Sequence, residues 1–236
     1  ASPVKWAGSA AWLVTLRDTS GVVAIEQQLT RVNRLYSALG QTARACGRTT
    51  RDIELFEDVC RIAVAFGGFK LSRIARPNPA RQYMADVASA GAGTSFVSDW
   101  RASLDPSSPE GQGPATRTLR LGVPYVCNDL LADPIAQTWH ELARRNKLAS
   151  MAAYPINVGG ITDAVWIVYA GETGFFDSTL LNLLGQMAAE IGAALERLAG
   201  REARRRAERA LADSEALFRQ MAEANRHVFW MRDLET

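Results

Sequence analysis

The chain predicts an α+β domain, a sheet covered by helices, with a long helix leading in and another leading out. Three observations carry this reading. Ala164–Ala170 is the longest wholly apolar run and is apolar on both faces, as a central strand with helices on each side requires. Asp52 to Phe66 places Phe56, Val59, Cys60 and Ala63 on one helical face, and two strand-like segments follow it. Finally, apolar residues recur at alternating intervals of three and four at both ends of this core, over Val22–Ala43 and Leu180–Leu198.

In chain order, Val4 to Gly8 reads as a turn and Trp12 to Thr19 as a strand. Val22, Ile25, Leu29, Val32, Tyr36, Leu39 and Ala43 then form an a/d seam, with Leu35 and Ala38 at its side. Phe69–Arg76 and Tyr83–Ala90 are strands joined by the Pro77-Asn78-Pro79 turn. Gly91 to Gly113 is a long polar loop that contains Trp100. Pro114 opens a short helix at N1 and Gly122 closes it, after which Val123–Cys127 is a short strand. Asn128 and Asp129 cap that strand's end. Asp133-Pro134 starts the next helix, with Ile135, Trp139, Leu142 and Ala143 as its buried stripe. A strand through Met151 and Tyr154 precedes the apolar run. Leu180, Leu184, Met187, Ile191, Ala194 and Leu198 repeat the four-three alternation. The register slips at Gly200, which reads as a helix break or a hinge, and restarts with Ala203, Ala207, Ala210, Ser214, Leu217 and Met221.

Composition narrows the function. With 236 residues and 47% apolar content the chain can build a proper core. The 27 basic and 25 acidic residues are interspersed, so no field steers the chain to nucleic acid or to acidic lipid. The Arg201–Arg209 run alternates with glutamate and alanine and carries no aromatic residue, the pattern of a solvated coil face. No apolar run approaches the ~20 residues of a membrane helix. No cleavable leader is read at the start, and the scattered Cys46, Cys60 and Cys127 fit a reducing compartment, so a cytoplasmic protein is expected.

Candidate chemistry is sparse. The two histidines, His140 and His227, lie in different segments, and no His, Cys and carboxylate cluster has metal spacing. Asp129 and Asp133 sit four apart, but a turn and a helix start explain them as caps better than as an acid–base pair. Cys60 belongs to an apolar stripe, and Cys127 ends a strand. No phosphate-cradling glycine loop is present, and Glu215-Ala216-Leu217 is a chance tripeptide inside a helix.

Taken together, the Gly111–Pro114 loop, the short helix, Pro124-x-Val126-x-Asn128-Asp129, Asp133-Pro134, the amphipathic helix and Ser150-x-Ala152-x-x-Pro155 resemble the GAF domain, in the variety found in bacterial multidomain cyclic di-GMP proteins. Leu55–Arg73 and Trp166–Leu195 extend the resemblance. It implies a central antiparallel sheet covered by helices, and a pocket between that sheet and the loop-helix segment, touched by Trp100, Cys127, Asp129, Trp139 and Tyr154. Residues 1–21 resemble the end of a PAS domain and 223–236 the start of another, which leaves 22–48 as a linker helix, 49–198 as the GAF domain and 199–222 as a signalling helix.

The chain lacks the Cys-His pair of bilin-holding relatives and the Asn-Lys-Phe-Asp-Glu set of cyclic-nucleotide-binding ones, so no cofactor or ligand is named. The expectation is a sensory and dimerisation module, not an enzyme, whose cyclic di-GMP cyclase or phosphodiesterase output lies outside this chain. A parallel homodimer is expected through Val22–Ala43 and Leu180–Leu198. The alternatives are a thiol enzyme resembling free methionine sulfoxide reductases, which needs converging cysteines, and a ligand-free dimerising spacer.

Overall fold

The structure, a computed structural model, describes residues 2–6, 9–13, 20–92 and 101–224. Strands β1 (Ser2–Trp6) and β2 (Ser9–Leu13) pair antiparallel on their own. Val4 to Trp6 therefore lie in a strand and not in the expected turn. Residues 14–19, which complete the strand read from Trp12, and residues 225–236 of the expected second PAS start lie outside the described residues.

The domain is built on a six-stranded antiparallel sheet of order β5-β4-β3-β8-β7-β6. Its strands are β3 (Leu71–Pro77), β4 (Tyr83–Gly91), β5 (Arg101–Ser103), β6 (Tyr125–Cys127), β7 (Ser150–Val158) and β8 (Ile161–Ala170). The local chemistry explains the turns. Pro77 ends β3, and the Asn78 side chain then accepts the backbone N–H groups of Gln82 and Tyr83, fixing the hairpin. Gly159 and Gly160 both take positive φ, 59° and 78°, which suits the two-residue turn joining β7 to β8. The strand read from Val123 is shorter than expected, because Gly122 in the left-handed region and Pro124 delay pairing until Tyr125.

Alternation along β8 divides the core in two. Ala164, Trp166 and Val168 face one side, and Val165, Ile167 and Tyr169 the other. The first side carries three helices, α1 (Ser20–Arg48), α2 (Asp52–Ala65) and α5 (Ser178–Ala224). The second is covered by shorter pieces: a 3₁₀ turn (Glu110–Gln112), α3 (Pro114–Leu121), a second 3₁₀ turn (Pro134–Trp139) and α4 (His140–Asn146). The helix expected from Asp133 thus begins as a 3₁₀ turn, with Ala136 and Ala143 as its most buried residues while Ile135, Trp139 and Leu142 are half-buried.

Two expectations about the long helices are corrected. Leu180, Leu184, Met187, Ile191 and Ala194 are each at most 2% exposed, buried in their own domain's core, so this stretch offers no seam to a second chain. Gly200 breaks nothing: α5 runs unbroken past it, and a side chain there would meet nothing within 4 Å. On α1 the residues that dock are Leu35, Ala38, Thr42 and Ala45, spaced by three and four, which leaves Tyr36 57% exposed and Val32 and Leu39 half-buried. The docking stripe is the one Leu35 and Ala38 begin; of the expected a/d seam, Leu39 packs against its edge while Tyr36 and Ala43 are exposed.

Candidate functional site

Under the short-helix cap lies a cavity of about 30 Å³, floored by Met151, Ile167 and Tyr169 and roofed by Pro114, Trp139 and Leu142. One water needs ~10–15 Å³ by this measure, so the space holds roughly two. Small residues open it: Ala102, Ala115, Ala136 and Ala143 stand where larger side chains would fill it. Trp139 closes the roof by seating on Gly113, where an added Cβ would lie 3.3 Å from its Cη2. Thr116 fixes the loop beneath by donating to the carbonyls of Glu110 (3.0 Å) and Gly113 (2.9 Å). Gly111 is held by packing, since a Cβ there would fall 1.8 Å from the Asp105 carbonyl oxygen.

On the same face of the sheet a buried ion pair joins β3 to β4. Arg73 Nη2 and Nε lie 2.6 and 2.8 Å from Asp86 Oδ1, with side chains 1% and 6% exposed. Arg73 also donates to Tyr169, which floors the cavity. Burial pushes the Asp86 carboxyl up to about 6 even though the Arg73 guanidinium pulls the other way. The Tyr169 hydroxyl is likewise raised by burial.

Of the residues expected at the pocket, Trp139 alone among those described lines the cavity. Tyr154 is a correction. It sits on the opposite face, where its hydroxyl donates to the Leu181 carbonyl of α5 at 2.8 Å, because side chains one residue apart on β7 point to opposite sides and Met151 and Ala153 take the cavity side. Asp129 caps a turn, accepting from the Ala132 N–H, and does not line the cavity. Cys127 is 6% exposed beneath the cap, and burial together with its hydrogen bond to Asp133 raises its thiol to about 12. Trp100 lies outside the described residues.

Asp133 anchors the cap. Its Oδ1 accepts from the Ile135 N–H at 2.9 Å and its Oδ2 from the Tyr125 hydroxyl at 2.5 Å. Burial opposes its charge, but the hydrogen bonds from Tyr125, Cys127 and the backbone hold its carboxyl below the usual range. His140 donates from Nε2 to the Asp133 carbonyl (3.0 Å), so it too braces this segment. Asn128 ties this segment to the turn that leads into α5: it accepts the Phe176 N–H and donates to the Phe176 carbonyl.

The three thiols do not meet. Cys60, raised to about 12 by burial, and Cys46, raised to about 11 by burial and then by Glu190, belong to the helical side, and Cys127 lies across the sheet. Among the described residues no group of three or more His, Cys, Asp or Glu could hold a metal ion, and no helix is long and apolar enough to cross a membrane. Sequence reasoning missed Tyr169, Ile167 and the Arg73–Asp86 pair. Strand alternation from Trp166 could have placed the first two, whereas the ion pair needs the strand register.

Comparison with known proteins fits this geometry. Residues 52–196 match the family model of the GAF domain. Among solved structures, the GAF domain of a phosphoenolpyruvate-protein phosphotransferase from Coxiella burnetii is similar, with a TM-score of 0.61 at 14% identity over 73% of this chain and 98% of its own. The free methionine-R-sulfoxide reductase of Neisseria meningitidis, solved with its substrate, is similar at a TM-score of 0.58 and 15% identity over 80% of this chain and 98% of its own. A GAF domain from A. aeolicus in an inactive state gives 0.55 and 18%, over 72% and 97%. These identities speak for the fold alone. No curated protein matches the chain.

Proposed function

Because the chain belongs to the GAF domain family, we propose that it is a sensory module that passes the state of its cavity to α1 and α5. One observation carries this: β7 and β8 present Met151, Ile167 and Tyr169 to the cavity and Tyr154, Trp166 and Val168 to the helices. An occupant that moves these strands also moves the helix-facing side chains, including the Tyr154 hydroxyl on Leu181. At about 30 Å³ the closed cavity is far below the ~300–1,000 Å³ of a metabolite site, so binding has to lift the cap of α3 and α4. That cap consists of 3₁₀ turns and short helices pinned by Asp133 and Asn128, and it can lift without unfolding the sheet.

The route out is two helices in two copies. A second copy of the chain would cover the outward stripe of α1 around Tyr36 and the bare half of α5, where Leu211, Leu217, Phe218 and Met221 are 59–76% exposed. The finer expectation, a cyclic di-GMP cyclase or phosphodiesterase as the output, rests on the motif resemblance and on no other feature. The division of the thiols between the two sides of the sheet speaks against the thiol-enzyme alternative.

The test is hydrogen exchange on the full chain with and without an Ala136→Phe substitution, which forces the roof up. A sensory module shows altered protection in 178–198 as well as under the cap. A change confined to 110–148 would sink the relay. Sedimentation equilibrium of a Tyr36→Glu, Phe218→Glu double variant checks the second copy: wild type dimerises and the variant is shifted to monomer, and an unshifted variant would refute these two stripes.

A further inference from the structure

A second hollow, of about 580 Å³, sits outside the cap where α5 leaves the domain. One wall is the start of α2, with Arg51 and Asp52. The other is the face of α5 that carries Arg201, Arg205 and Arg209. Upstream, that same helix face packs Leu184, Met187, Ile191 and Ala194 onto the core. Past Leu198 it overhangs the domain edge, and apolar residues give way to arginines spaced by four, about 6 Å apart along the axis.

The acids in the hollow are already engaged. Asp52 and Asp163 each lie 2.6 Å from an Arg76 nitrogen, and Glu202 pairs with Arg206. Arg201, Arg205 and Arg209 have no carboxylate within ion-pair distance among the described residues, although they stack like charges on one face.

We propose that this groove binds a small molecule carrying two or more phosphate groups and so clamps α5 to the domain. Arginine's planar fork matches phosphate oxygens in pairs, and three forks strung along one face match several phosphates rather than one. The volume falls in the range of small-molecule sites. Nucleic acid fits less well, because the lining offers no aromatic ring for a base to stack on. The site is separate from the cavity, so its test does not depend on the sensory reading.

The experiment is calorimetric titration of the full chain with inorganic tripolyphosphate, with sulfate at equal ionic strength as the reference. The expected result is saturable binding at least tenfold tighter than sulfate. It should fall at least tenfold in an Arg201→Gln, Arg205→Gln, Arg209→Gln variant and severalfold in Arg205→Lys, which keeps charge but loses the fork. Arg204→Gln, whose side chain pairs with Glu208 away from the groove, should stay within twofold of wild type. Circular dichroism of the triple variant checks that α5 is intact, and Arg205→Glu alone serves if it is not. Absence of saturable binding, or an equal loss in Arg204→Gln, overturns the site. Hexaglutamate binding as tightly as tripolyphosphate also overturns it, and assigns the groove to an acidic protein segment.

Discussion

The two sides of the sheet are packed by different rules. The helical side is filled by large side chains, Trp166, Phe56, Leu55, Leu180, Leu184 and Ile191, all under 2% exposed, drawn from α2, α5 and the central strand β8. A buried side-chain hydrogen bond there, from Trp166 Nε1 to Ser72 Oγ at 3.0 Å, satisfies the indole donor. The cavity side is built from alanines, short helices and a buried ion pair, and it leaves room for water. A side packed to crystal-like density transmits displacement, and one with small residues and short covering pieces accepts it. The contrast fits the proposed relay, with reception on one side and transmission on the other.

The largest effect expected from breaking this contrast is on the filled side. Trp166→Ala removes a fully buried indole and its hydrogen bond to Ser72, and should cost about 3–5 kcal/mol in urea unfolding. A loss below about 1 kcal/mol would mean that the helical side collapses as readily as the cavity side.

Next comes the charge under the cavity. Asp86 titrates near 6 in the folded chain, against about 3.9 when unfolded, so the folded state holds its proton more tightly. Its contribution to stability is therefore greatest below about pH 4, falls as pH rises from about 4 to about 6, and is constant above that. Arg73 and Tyr169 face the same carboxyl and set its environment. In denaturation midpoints taken from pH 4 to 7, wild type should lose stability relative to Asp86→Asn across that window. Parallel curves would show that the carboxyl does not titrate there.

How far the sequence revealed these sides follows from the physics of each. The helical side was legible because a period of 3.6 or 2 repeats over many residues: Phe56, Val59, Cys60 and Ala63 on α2 and Ala164–Ala170 on β8 lie where their pattern puts them. The caps were legible too, since Pro114, Gly122 and Asp133 carry local backbone preferences that nothing distant overrides. The pattern failed where two stripes compete for one helix. On α1 the apolar a/d seam was the stronger signal, yet the domain uses Leu35, Ala38, Thr42 and Ala45, a stripe disguised by a threonine. Likewise on α5, an alternation of four and three cannot tell a core-facing helix from a coiled coil. The pocket assignment missed because parity along β7 decides a residue's side, and Tyr154 sits an odd three positions from Met151.

The smallest effects should come from adding carbon to each side, and they compare the sides most directly. Gly192→Ala on α5 gains about 1 kcal/mol of helix propensity. Its new Cβ, however, would stand 2.3 Å from the Asn157 carbonyl oxygen, a backbone atom that cannot swing away. Overpacking of this kind costs about 1–3 kcal/mol and should win, leaving the variant less stable than wild type. Ala136→Val adds two methyl groups beside a cavity that already has about 30 Å³ to receive them. Part of the burial gain of about 0.8 kcal/mol per carbon then offsets the valine's strain, and the net change should stay within about 1 kcal/mol of zero. Urea midpoints of the two variants, measured together, decide the matter. If Ala136→Val is as damaging as Gly192→Ala, the cavity cannot accept new atoms with its cap in place, and a ligand has to displace the whole cap before it makes its first contact.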